Sequence, residues 1–125
     1  MNTNESPLTE SRSNRSLCFD IDSATAALNA FADDGRSYLL PYAHFLYAEM
    51  VPNPALDKEP DAPPEKLVIR FAYAEVAALG SGLKSLERAL QKYELKFVKA
   101  VDRRYAATLK THVVSVAITF TKENV

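Results

Sequence analysis

Five of the seven prolines in this 125-residue chain fall between Pro52 and Pro64, and four acidic residues, Asp57, Glu59, Asp61 and Glu65, share the stretch. Proline fixes φ and has no N–H to give to a helix or a ladder. Neither kind of element can run through residues 52–65, so the segment reads as a long exposed loop. At the N-terminus, residues Met1–Ser16 (MNTNESPLTESRSNRS) hold Leu8 as their sole apolar side chain after the initiator Met, and nothing there offsets the entropy of ordering them. They are expected to be a disordered arm. Together the arm and the loop leave about 95 residues to build a core, within the range that folds alone but with modest margin.

That length admits one domain, expected over residues 17–125. The 47% hydrophobic and 25% charged composition is that of a globular chain, not of a disordered or fibrous one. A single cysteine, Cys18, excludes an internal disulfide and any Cys-x-x-Cys pair, which points to a reducing, cytoplasmic setting. No apolar run approaches the roughly 18–20 residues that cross a bilayer, and no secretory h-region is present, so no membrane role is expected. With three glycines in all, neither a Walker loop nor a dinucleotide fingerprint can be written.

Leu17, Phe19 and Ile21 alternate with Cys18, Asp20 and Asp22 as in a short half-buried strand. Asp22 or Ser23 caps a predicted helix over Ala24–Asp33, with Ala24, Ala27, Leu28 and Phe31 on one face and Gly35 as its left-handed stop. Asp33 and Asp34 are poorly placed at such a C-terminus. Tyr38–Val51 shows no clean period, and Pro41 favours an edge strand over a helix. Lys66–Leu79 alternates through Leu67, Ile69, Phe71 and Tyr73 as an interior strand that the turn Gly80-Ser81-Gly82 ends. Leu83, Leu86, Ala89, Leu90 and Tyr93 fall at helical spacing. Leu95–Val101 and His112–Thr121 read as strands, with Asp102–Thr111 as a loop or hairpin arm. The order argues for an α+β fold: a mainly antiparallel sheet of four to five strands with one or two helices packed on one face.

The net charge of −1 conceals a polarity: Met1–Gly80 carry 6 Lys/Arg against 12 Asp/Glu, whereas Ser81–Lys110 carry 8 against 3. Lys84, Arg88 and Lys92 recur every fourth residue and stack on one stripe of the second helix, followed by Lys96, Lys99 and Arg103–Arg104. Such a stripe can neutralise phosphates or dock an acidic protein surface, although a solvated helix face has the same pattern. The turn Gly80-Ser81-Gly82 before that helix could seat an anion on its N–H groups with Lys84 beside it; plain turn chemistry, with Ser81 as N-cap, explains it equally.

Tyr38, Tyr42, Phe45 and Tyr47 are dense for a chain without tryptophan and suggest either a subunit interface or the roof of the core. His44, His112, Cys18, Asp20 and Asp22 exhaust the usual metal and nucleophile candidates, and their spacing matches no metal or catalytic pattern. Glu49 and Glu75 would form a carboxylate dyad only if their strands paired. The residues thus predict a non-enzymatic interaction domain without cofactor or metal, self-associating as a homo-oligomer, a dimer, with an acidic protein as partner of the basic face. The alternative expectation is binding of nucleic acid or a phosphorylated ligand through Gly80, Ser81, Gly82, Lys84, Arg88 and Lys92.

Overall fold

The computed structural model describes residues 18–23, 25–102 and 110–121. The expected arm over 1–16 and the Arg103–Arg104 pair lie outside them. Among the described residues, eight strands form two four-stranded sheets around one core. The first comprises β1 (Phe19–Ile21), β2 (Ala27–Phe31), β3 (Ser37–Pro41) and β7 (Leu95–Val98), in the order β1-β7-β2-β3. Its pairings are antiparallel except for β2 with β7, which run parallel. The second comprises β4 (Phe45–Pro52), β5 (Glu65–Phe71), β6 (Ala74–Ser81) and β8 (His112–Phe120), all antiparallel and in the order β4-β5-β6-β8. A helix, α1 (Lys84–Gln91), follows β6. The fold is therefore sheet-dominated, and two sheets stand where the sequence suggested one.

The helix expected over Ala24–Asp33 is strand β2. Leu28 and Ala30 are fully buried while Ala27, Asn29 and Phe31 point outward, so the segment follows period two once β3 and β7 flank it. Asp34-Gly35 closes the β2–β3 hairpin: Ala32 N–H reaches Arg36 O at 2.8 Å, and Gly35 supplies the positive φ of 94°. Tyr38–Val51 is two strands, β3 and β4, broken by a 3-10 turn over Tyr42–His44, with Pro41 ending an edge strand as proline requires. Lys66–Leu79 is likewise two strands. β5 turns back on β6 between Phe71 and Ala74, and the inward parity flips from Leu67, Ile69 and Phe71 to Ala74, Val76 and Ala78.

In the proline segment Asn53 caps a short 3-10 turn over Pro54–Asp57, its side chain accepting the Ala55 N–H at 3.2 Å. The remainder of that segment is irregular until β5 begins at Glu65.

Leu28 and Leu40 from the first sheet, Leu67, Ile69, Val76 and Val116 from the second, and Leu83, Leu86 and Leu90 from the helical segment meet in the common core. Each such side chain contributes about 1.5–3 kcal/mol by leaving water. Polar contacts tie the sheets at one end. Asp33 N–H donates to Val116 O at 3.0 Å, and its carboxylate accepts the Val116 N–H at 2.9 Å and the Ser115 hydroxyl at 2.8 Å. The helix touches β4 of one sheet and β7 of the other, so it spans the two sheets.

α1 ends at Gln91 with Lys92 as its C-cap, and the chain turns away at Tyr93, whose φ of 59° is the left-handed value usually left to glycine. Glu94 N–H closes the terminus on Ala89 O at 2.8 Å. The Tyr93 ring stacks on Tyr42 with centroids 5.3 Å apart, a contact that holds this conformation in place.

Candidate binding groove between the helix and a free strand edge

β4 is an outer strand of its sheet, and α1 lies alongside it. Between them runs a groove of about 530 Å³. Phe45, Ala48 and Leu90 make its apolar floor, and Lys84, Glu87, Arg88 and Gln91 line its helical side, with Tyr47 opposite on the strand. The geometry follows from two periods meeting. Alternation sends Ala48 inward from β4, and 3.6-residue spacing sends Leu86, Ala89 and Leu90 into the core while Lys84 and Arg88 stay on the rim.

Lys84 Nζ lies 3.5 Å from Glu87 Oε1, an exposed pair worth little. Arg88 also borders a second groove, of about 410 Å³, in which Lys92 and Ser85 face Ile21 of β1 and Glu94. The expected stripe of Lys84, Arg88 and Lys92 is thus one face of α1 with a groove on either side. Lys96 and Lys99 leave that face and belong to β7 and its end.

The Gly80-Ser81-Gly82 turn is differently built from the expected anion cradle. Gly80 and Ser81 are the last residues of β6, and the N-cap of α1 is Leu83, with no side-chain cap. Leu83 N–H donates to Glu65 Oε1 at 2.9 Å, so the chain's own carboxylate already lies at the positive end of the helix. The glycines serve close packing. A Cβ on Gly80 would lie 2.0 Å from His112 O, and one on Gly82 2.0 Å from Lys110 O; Gly82 also has φ of 64°.

The aromatic group divides. Tyr42 is 6% exposed and belongs to the core, its ring packed with Phe45, Phe71 and Tyr93 and its hydroxyl donating to Leu95 O at 2.6 Å. Phe45 is half-buried on the groove floor. Tyr38 packs edge-on against Phe120 at 5.0 Å, far along the fold from the groove strand. Tyr47 remains 51% exposed beside Leu46 at 59%, and the Arg70 guanidinium lies 5.9 Å from its ring.

Cys18 is fully buried, donates weakly to Thr111 O at 3.4 Å, and has its thiol pKa pushed up chiefly by desolvation. His112 is 3% exposed with Nε2 2.8 Å from Val101 O, whereas His44 lies at the surface, edge-on to Tyr73. The two histidines are not brought together. Asp20 accepts the Ile21 N–H at 2.8 Å, and among the described residues no cluster of His, Cys, Asp and Glu could hold a metal. Glu49 and Glu75 are separated by β5, and Glu75 pairs with Arg70.

Comparison with protein-family models, with curated proteins and with solved structures finds no match. Among the described residues no helix is long and apolar enough to cross a membrane.

Sequence reasoning missed Ala48, Leu90 and Gln91 as groove residues, because each is unremarkable until α1 lies against β4. It also missed Phe31 and Phe97, whose rings meet edge-on at 5.9 Å on the outer face of the first sheet. No alternation in the sequence marks the latter, because β7 is irregular at Lys96: Leu95 and Val98 are both fully buried, and Phe97 between them is half-buried.

Proposed function

We propose that the protein is an interaction module that binds an extended, acidic segment of a partner protein by adding it as a strand to the free edge of β4. The observation that carries this reading is the groove itself: an unpaired strand edge on one side, a helix on the other, an apolar floor at Phe45, Ala48 and Leu90, and cations on the rim at Lys84 and Arg88. Strand addition supplies main-chain hydrogen bonds, while alternate side chains choose the partner. An incoming strand would direct every second side chain to the floor and its neighbours toward the helix rim, where carboxylates meet Arg88.

The test is a titration of isotope-labelled protein with an acetylated peptide of alternating Val and Glu, followed by amide chemical shifts. Shifts confined to β4 and α1, and an affinity reduced about tenfold or more by Arg88→Glu, are expected, since a charge-assisted hydrogen bond contributes roughly 1.5–3 kcal/mol. Shifts elsewhere, or none at millimolar peptide, would end the proposal.

A second reading rests on the same edge. β4 is eight residues long and exposes Leu46 and Tyr47 without an interior proline or lysine to guard it, so two copies pairing edge to edge would give the expected dimer. Sedimentation velocity at high concentration tests it, and a monomer throughout removes it.

A further inference from the structure

The outer face of the second sheet is complementary to itself in charge and in size. Alternate residues of β4, β5, β6 and β8 enter the core, where they meet α1 and the first sheet; their neighbours stand on the opposite side in cross-strand rows. The row at one end is Tyr47, Arg70, Glu75 and Thr119. The middle row is Glu49, Val68, Ala77 and Ala117, and in the row beyond it Lys66 stands beside Leu79. Val68 is 6% exposed, next to half-buried Ala77 and exposed Ala117, so the middle of the face is a shallow apolar strip. Arg70 donates one nitrogen to Glu75 at 2.5 Å and has the Tyr47 ring 5.9 Å away. Its Nε has no acceptor among the described residues, so the guanidinium fork is only partly used. The Arg70 and Glu75 side chains are 39% and 33% exposed, within reach of a second molecule.

We propose that this face is a homodimer interface, at which two copies pack sheet on sheet about a two-fold axis running along the strands between β5 and β6. The rows select the axis. A two-fold in the contact plane along the strands reverses each row, so Arg70 of either copy comes opposite Glu75 of the other. The unused donors of each Arg70 fork then meet a second carboxylate. In the middle row Val68 lies over the small Ala77, and beyond it the Lys66 stem lies over Leu79. A two-fold across the strands would exchange the outer rows instead and set Arg70 against Lys66, like charge on like. Packed sheets cross at about 30°, which keeps opposed the residues nearest the axis, and these are Arg70, Glu75, Val68 and Ala77. Four strands about 4.8 Å apart and three rows about 7 Å apart make a contact roughly 20 Å on a side. That is smaller than the roughly 800 Å² per partner of a standard interface, so micromolar affinity is expected. The contact uses the face of β4 and not its edge, and is independent of a strand added there.

The test is sedimentation equilibrium of the whole chain from low to high micromolar concentration, with circular dichroism and melting of each variant to check the fold. The wild type is expected to dimerise. Arg70→Glu and Glu75→Arg each enter the contact twice and set like charges face to face, so either alone is expected to weaken dimerisation about a hundredfold. Mixed, the two single variants are expected to pair with each other at wild-type affinity, because each then faces the opposite charge. The double variant, Arg70→Glu with Glu75→Arg, is expected to dimerise on its own. Leu46→Lys guards the β4 edge and is expected to leave the dimer intact. The proposal is overturned by a wild type that stays monomeric, by a dimer that survives either single reversal, by single variants that do not pair with each other, or by a dimer that Leu46→Lys dissociates. Where a single reversal unfolds the chain, the double variant decides, and a folded monomer overturns the proposal.

Discussion

Tyr42 connects the aromatic cluster to the first sheet, and its two roles can be separated by substitution. Tyr42→Phe retains the ring packed with Phe45, Phe71 and Tyr93 and deletes the 2.6 Å hydrogen bond to Leu95 O. A buried hydroxyl–carbonyl bond contributes about 1 kcal/mol, slightly more here because the carbonyl loses its donor away from water. Tyr42→Ala also removes a ring that is 6% exposed and leaves a cavity among three aromatic neighbours, a change that costs about 3–5 kcal/mol. Each kcal/mol lowers the melting temperature of a chain this size by about 3–6 °C.

Burial raises the Tyr42 hydroxyl pKa above its ordinary 10.0, against the smaller opposing effect of the Leu95 bond. The unfolded chain therefore ionises first. Stability from this group is complete below about pH 10 and declines as pH rises toward the higher folded value. Urea unfolding at neutral pH and again above pH 10 should show Tyr42→Phe about 1 kcal/mol below wild type at first, with the gap narrowing as pH rises. A neutral Tyr42→Phe, a Tyr42→Ala costing under about 2 kcal/mol, or a gap that widens with pH would refute this account of the cluster.

Asp33→Ala should cost about 1 kcal/mol, since the contact is partly exposed; hydrogen exchange at the Val116 amide should quicken while that at Val76 is unchanged, and uniform exchange would show that Asp33 does not tie the sheets. Gly82→Ala meets both a left-handed φ and the Lys110 carbonyl, so a loss of at least about 2 kcal/mol is expected in thermal melts. A silent Gly82→Ala would mean that the 110–111 backbone yields freely.

Local patterns were legible where one period dominated. The stripe from Leu83 to Leu90 became α1, where burial of a single face decides; His112–Thr121 became β8, but a register shift beside Gly80 turns Val113 inward along with Val116, and Phe120 of the expected inward face is exposed. β2 failed for a physical reason. Ala27, Leu28 and Phe31 satisfy helical spacing as well as Leu28 and Ala30 satisfy strand spacing, and alanine's helix preference is overridden only by pairing with β3 and the distant β7. Gly35, read as a helix stop, was with Asp34 the hairpin signal. The turn between β5 and β6 carries no Gly, Pro, Asn or Asp, and what marks it is the parity change after Phe71.

Of the candidate site, the basic stripe was visible in sequence. The groove beside it was not, because a concavity between helix and strand edge is a property of packing. Nor could spacing reveal that Glu65, at the end of the proline segment, lies against the Leu83 N–H.

The order β1-β7-β2-β3 also sets the timing of folding. Asn29 and Ala30 pair with Phe97 and Val98, so a strand synthesised late must slot between two made early. On the ribosome the β2–β3 hairpin emerges with one edge bare and stays so until most of the chain has been translated. Such non-local closure is slow, on the order of milliseconds to seconds for sheet-rich domains. The nascent chain is most open to wrong pairing during that interval, and truncation before residue 95 would leave β1 and β2 with an open gap between them where β7 belongs.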